Sequence, residues 1–176
     1  FNFWIYAFCA TAIFSMMSPF INVWLGNKFL LGTSVLAILV VNFYMLGMRS
    51  SIGVFKDAAG IFYEDRFIPI LESIINIVAS LILVKLFGLF GVFFGTFLSS
   101  LIVVFYSLPK YVFEKLFDKS RIEYYKLYLK YFTITLISVG VTSFICYLIN
   151  INLELSYFIQ FIIAGFISVI IPNLFI

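Results

Sequence analysis

Five long stretches of this chain contain no charged residue, and this feature limits the fold more than any other. The stretches cover residues 1–27, 29–48, 86–109, 131–153 and 155–176. A sixth stretch, 67–84, contains a single charge, Glu72. Because about 20 apolar residues in a helix cross a hydrocarbon core of roughly 30 Å, each stretch is long enough to span a membrane.

Composition leads to the same class of protein. Hydrophobic residues make up 64% of the chain and charged residues 11%, whereas soluble proteins average about 45–50% and about 25%. The interior of a soluble domain of 176 residues is too small to bury so much apolar surface. The sequence therefore excludes a soluble enzyme, a disordered tail, a disulfide-rich secreted domain and a nucleic-acid binder. It predicts an all-α fold, a polytopic transmembrane helix bundle, because the apolar runs are too long and too uniform for barrel strands.

Six spans are expected, and two polar connections divide them. We place the spans at 3–24, 29–48, 67–85, 89–108, 129–149 and 155–175. The region 1–108 then holds four spans with a cytoplasmic connection at 49–66. In that connection Phe55, Ala59 and Phe62 have the spacing of a short amphipathic helix. An interfacial segment at 109–128 precedes the last two spans, within 129–176.

Basic residues concentrate on one side of these spans. Of eleven Lys and Arg residues, only Lys28 and Lys85 lie on the side of the short turns. The positive-inside bias places the other side, with both ends of the chain, in the cytoplasm of a multi-pass cell (inner) membrane protein. Lys130 and eight expected lipid-facing basic residues lie on that side: Arg49, Lys56, Arg66, Lys110, Lys115, Lys119, Arg121 and Lys126. Within 109–128 they accompany aromatic residues, which suits anionic membrane lipid or, alternatively, a charged cargo.

Glu72 is the only acidic residue well inside a span, and it heads a polar stripe. Asn76 and Ser80 follow at i+4 and i+8, so the three side chains share one helix face. A polar stripe in lipid faces protein or a water-filled cavity. Two interpretations stay open: hydrogen bonding between helices, or a cavity lining with a proton- or ion-coupled carboxylate. Lys85 ends this span and either extends outward to the interface or binds a cargo phosphate.

The next span has a small-residue pattern. Gly91, Gly95 and Ser99 recur every four residues, and Gly88 precedes them. Such spacing lets two membrane helices approach closely. We therefore expect 67–85 and 89–108 to form an antiparallel hairpin that packs through these residues.

No catalytic, cofactor or metal site is predicted, and the chain is not expected to be an enzyme. It contains no His, and the cysteines Cys9 and Cys146 are far apart inside apolar runs, where they suit packing. The acids of the first connection, Asp57, Glu64 and Asp65, alternate with basic residues and are interpreted as surface charges.

Several of these segments together resemble a known family. They are Pro19-Phe20-Ile21 with Trp24-Leu25-Gly26, Lys56 to Phe62 with Glu64-Asp65-Arg66, the Glu72, Asn76 and Ser80 stripe, Lys85 to Val92, and Gly95-Thr96. In this order they are similar to the C-terminal part of the polysaccharide biosynthesis membrane proteins, the Wzx-type O-antigen and capsule repeat-unit flippases. These belong to the multidrug/oligosaccharidyl-lipid/polysaccharide exporter superfamily. The resemblance covers about residues 19–117.

The resemblance implies a two-lobed exporter that works by alternating access. Its cargo would be an undecaprenyl-pyrophosphate-linked oligosaccharide, moved from the inner to the outer leaflet. Because the chain starts at Phe1 in apolar sequence, we expect the N-terminal lobe to be a missing part of the same chain. Polysaccharide polymerase machinery is a further expected partner, and nucleic acid is not. Two alternatives remain: a cation-coupled multidrug exporter of the same superfamily, and a non-transporting scaffold of a polysaccharide synthase complex.

Overall fold

The computed structural model describes residues 1–153 and 155–175, without the side chains of Asn152 and Phe175. Glu154 and Ile176, which belong to the predicted region 129–176, lie outside the described residues. The described part of the chain is helical and contains no strand, so the all-α prediction is confirmed.

Six α-helices correspond one to one with the six predicted spans in the part of the chain that is described. They are α1 (Asn2–Trp24), α2 (Thr33–Ala58), α3 (Ile68–Phe87), α4 (Leu89–Ile102), α5 (Arg121–Leu153) and α6 (Tyr157–Phe175). The helical path of α4 continues through two π-helical segments, Val103–Ser107 and Pro109–Glu114. With that continuation, all six are long and apolar enough to cross a membrane.

Glycines end two of these helices where the chain must turn. Gly26 follows α1 with φ +87° and donates its N–H to the carbonyl of Ile21. Gly88 has φ +58° and donates to the carbonyl of Val84, so this one residue separates α3 from α4. Residues with a side chain rarely adopt such φ values, which explains glycine at both positions.

The structure differs from prediction in the first polar connection. Residues 49–58 are the last turns of α2, and 59–67 form turns, so no separate helix covers 49–66. The physical reason is that a helix satisfies its own backbone whether or not its side chains are apolar, so charges did not mark its end. In the second connection, Pro109–Glu114 and the start of α5 at Arg121 are helical, and the interfacial role of 109–128 stays a prediction.

The chain divides into two compact units, which we describe separately. Unit 1 contains residue 1 and residues 3–40 and 131–176 as far as they are described. In it α5 runs parallel to α1, since Phe3 stacks on Tyr131 at 4.2 Å and the hydroxyls of Thr11 and Ser138 lie 3.4 Å apart.

Helix α6 runs antiparallel to α1 in the same unit. Trp4 Nε1 donates to Asn173 Oδ1 over 2.9 Å, and Phe20 packs on Phe161 with ring centroids 5.7 Å apart. The buried positions on these three helices are mostly small residues: Ala7, Ala10, Thr11, Ser138, Thr142, Ala164 and Ser168. Small side chains allow close approach of membrane helices, which is how unit 1 packs.

Unit 2 contains residue 2 and residues 41–130. Its apolar core joins α2, the π-helical continuation of α4 and the start of α5. The buried members are Met45, Val104, Leu108, Val112 and Tyr124. Unit 2 holds all four residues that the sequence predicts for a transport path, Glu72, Asn76, Ser80 and Lys85.

Candidate functional site

The α3–α4 hairpin packs through glycine. A methyl group added at Gly91 would overlap the carbonyl oxygen of Leu83 and lie 2.9 Å from the backbone nitrogen of Val84. One added at Gly95 would lie 2.7 Å from the backbone nitrogen of Ser80. Gly88 has nothing within 4 Å of such a group, so it serves the turn and not the contact. The helices therefore touch backbone to backbone at Gly91 and Gly95.

The polar stripe of α3 faces this contact. Asn76 Nδ2 donates to Thr96 Oγ1 over 3.1 Å and to Ser99 Oγ over 3.3 Å. Ser80 Oγ donates to the carbonyl of Val92 over 3.2 Å. Two predicted transport-path residues thus hydrogen-bond to α4, as the first interpretation of the stripe describes.

Glu72 has a charged partner that the sequence did not indicate. Arg49 of α2 donates from Nη1 to Glu72 Oε1 over 2.5 Å, and Ser100 of α4 lies 3.5 Å from the same oxygen. The side chains of Arg49 and Glu72 are 25% and 20% exposed. A partly buried charge is costly unless it is paired, so this ion pair joins α2 and α3 within the spans.

A second charged cluster lies beside the first connection. Lys56, near the end of α2, pairs with Asp65, and Ser107 Oγ donates to Asp65 Oδ1 over 2.5 Å. Asp65 is only 4% exposed and Ser107 is fully buried. The interpretation of Asp65 as a surface charge is therefore wrong. Its position in a charged connection concealed the burial, and no spacing signal links Asp65 to Ser107.

The expected lipid-facing basic residues separate into two groups. Arg49 and Lys56 form the two ion pairs above, because the helix that carries them packs against acids of the same unit. The other six are exposed or half-buried: Arg66, Lys110, Lys115, Lys119, Arg121 and Lys126. Of these, Arg66 lies over the rings of Tyr63 and Phe67, and Lys110 over Tyr106 and Tyr111. The expectation of a lipid-facing role stays a prediction for this second group.

Three of the second group also pair with acids at the surface. Lys115 lies 3.7 Å from Glu64, Lys119 lies 4.0 Å from Glu123, and Arg121 Nε donates to Glu114 over 2.5 Å. Exposed pairs of this kind contribute about 0–1 kcal/mol each. They leave the ends of these side chains available to solvent.

Lys85 is the remaining predicted site residue. Lys85 is exposed at the end of α3 and forms no ion pair with the described residues. Within the described ranges no group of three or more Cys, Asp or Glu is placed to hold a metal ion. The arrangement in unit 2 is therefore one of paired charges and interhelical hydrogen bonds, which can position helices and can be broken by a competing charge.

Comparisons of the chain with protein-family models, with curated proteins and with solved structures gave no match.

Proposed function

We propose that this chain is the C-terminal part of a membrane transporter that moves a lipid-linked oligosaccharide from the inner to the outer leaflet by alternating access. The proposal rests on the resemblance of residues 19–117 to repeat-unit flippases. The six helices that can cross a membrane are compatible with it. The N-terminal part of the transporter and polysaccharide polymerase machinery are its proposed partners.

The structural observation that best supports the proposal is the ion pair of Arg49 and Glu72. Ionisable side chains within membrane helices are costly, so they usually mark a pathway or a moving contact. This pair joins α2 to α3, and its side chains are still partly exposed. An alternating-access transporter needs contacts that hold one conformation and release in another. A charge pair that a polar or charged cargo can compete for meets that need.

The proposed orientation places the long connections in the cytoplasm of the cell (inner) membrane. Nine of eleven basic residues lie on that side, which follows the positive-inside bias. Arg49 and Glu72 would then lie toward the inner end of their helices, where they could close the cytoplasmic entrance.

The orientation is tested by cysteine labelling. Ser120 is exposed in the connection between α4 and α5. In a chain with Cys9→Ala and Cys146→Ala, we expect Ser120→Cys to resist a membrane-impermeant maleimide in intact cells and to react after lysis. Asn27→Cys, in the exposed turn after α1, is the matched control and should react in intact cells. The reverse pattern would overturn the proposed orientation.

The transport proposal is tested by deleting the gene in its source organism. We expect loss of surface polysaccharide together with accumulation of lipid-linked repeat units on the inner leaflet, because synthesis continues while flipping stops. Re-expression of the complete gene should reverse both changes. Normal polysaccharide with increased drug sensitivity would instead assign the chain to a cation-coupled multidrug exporter. Loss of polysaccharide without accumulated repeat units would favour the scaffold.

A further inference from the structure

An apolar pocket lies in unit 1 between the end of α1 and the start of α6. Its volume is about 290 Å³, and its lining is Phe20, Val23, Trp24, Phe158 and Phe161. Two of these lining rings, Phe20 and Phe161, are in contact. The Trp4–Asn173 hydrogen bond joins the opposite ends of the same two helices. The pocket therefore lies at one extremity of two membrane-crossing helices.

Hydrocarbon fits this pocket better than water does. The only hydrogen-bonding group among the five lining side chains is the indole N–H of Trp24, and none is charged. An ordered water molecule needs two to four polar partners, and this lining offers a single donor, so the pocket holds water poorly. If the groove were empty, its lining side chains would lack many dispersion contacts.

The pocket opens toward the surroundings of the helices. Trp24 is 70% exposed, and Phe20, Val23 and Phe158 are also exposed. At the end of a membrane-crossing helix those surroundings are acyl chains and headgroups, and tryptophan is enriched at that level. The pocket is therefore open to a lipid chain that enters from the side.

A basic residue closely follows the pocket-lining residue Trp24 along the chain. Lys28 is four residues after Trp24, in the short 3₁₀ turn Asn27–Phe29 that follows α1. Lys28 is exposed and forms no ion pair within the described part of the chain. An apolar groove with an ammonium group near its end complements an anionic phospholipid. The groove matches the acyl chain, and the ammonium group matches the phosphate.

We propose that this pocket binds one acyl chain of an anionic bilayer phospholipid, with Lys28 at the lipid phosphate. The site would fix a structural lipid between α1 and α6. The inference concerns the bilayer and not the cargo, so it holds for any transported substrate.

Trp24 is itself the probe for the test. The chain contains two tryptophans, and Trp4→Phe leaves Trp24 as the only one. This chain is reconstituted in phosphatidylcholine vesicles with a rising fraction of either brominated phosphatidylglycerol or brominated phosphatidylcholine. We expect half-maximal quenching of Trp24 at about a fivefold lower fraction of the anionic lipid, the preference that one lysine near the headgroups confers.

Two variants separate the site from general lipid contact. Lys28→Gln should abolish the fivefold preference and leave quenching by phosphatidylcholine unchanged. Val23→Phe, which fills the pocket, should also abolish the preference, whereas Val169→Phe, at an exposed position of α6 away from the pocket, should retain it. Equal quenching by the two lipids in the Trp4→Phe chain would overturn the proposal. So would a preference that survives Val23→Phe.

Discussion

Alanine at Gly91 is expected to destabilise the protein strongly, because α3 and α4 have no room for a side chain there. The added methyl group would overlap the carbonyl oxygen of Leu83, which belongs to the backbone and cannot rotate away. The helices would have to separate, and the hydrogen bond of Ser80 to the carbonyl of Val92 would lengthen with them. We expect a loss of about 1–3 kcal/mol in the free energy of unfolding, the usual cost of overpacking. Denaturant unfolding in detergent, followed by circular dichroism, measures it.

Gly140 provides the matched control for this prediction. It lies within α5, and a methyl group there has nothing within 4 Å. Gly140→Ala should leave the free energy of unfolding unchanged or raise it by up to about 1 kcal/mol, because alanine is the better helix former. Equal losses in the two variants would contradict the close contact between α3 and α4.

The substitution Asp65→Asn is expected to have the second large effect. It keeps the shape of the side chain and an oxygen for the Ser107 hydroxyl, but it leaves Lys56 without its counter-charge. Removing one member of a buried ion pair costs about 3–5 kcal/mol. Because Lys56 remains partly exposed and can be hydrated, we expect a loss of about 2–3 kcal/mol in the free energy of unfolding. The same unfolding assay measures the loss.

Two further variants decide whether that loss comes from the buried pair. Glu123→Gln breaks the pair with Lys119, whose two side chains are each 59% exposed, and should cost less than about 1 kcal/mol. Adding Lys56→Gln to Asp65→Asn removes the uncompensated charge and should recover part of the loss. If Asp65→Asn costs no more than Glu123→Gln, the cluster does not stabilise the fold.

The sequence was sufficient to locate the six membrane helices, because every helix that crosses the hydrocarbon layer needs about 20 apolar residues in a row. The sequence predicts the first span at 3–24, and the structure has Asn2–Trp24. The prediction ended the second span at residue 48, however, whereas α2 continues to Ala58. Charge marks where a helix leaves the hydrocarbon, not where its backbone hydrogen bonds stop. Arg49 and Lys56 lie in this continuation of the helix, where acids of other segments pair with them.

Within the candidate site, periodicity predicted which side chains share a face but not what they contact. The spacing of Glu72, Asn76 and Ser80 was enough to define one stripe. Their partners lie 20 or more residues away for Glu72 and Asn76, and such pairings depend on tertiary structure.

The small-residue packing of unit 1 was missed, although a signal for it exists. Ala7, Thr11 and Ser15 are spaced by four residues on α1, and Ala164 and Ser168 repeat that spacing on α6. Hydroxyl residues and alanines are a weaker packing signal than the glycines of α4, because they also occur at lipid-facing positions.

Helix α5 is longer than the hydrocarbon layer of a membrane is thick. Its 33 residues span about 50 Å at 1.5 Å per residue, whereas the hydrocarbon layer is roughly 30 Å thick. Only the stretch 131–153 is free of charge, so the first ten residues, from Arg121 to Lys130, extend among the headgroups and beyond. In a thicker bilayer the exposed apolar residues at the start of α5, Ile122 and Leu127, can contact lipid without any change of secondary structure. Hydrophobic mismatch should therefore be absorbed at this end of α5 by depth or tilt.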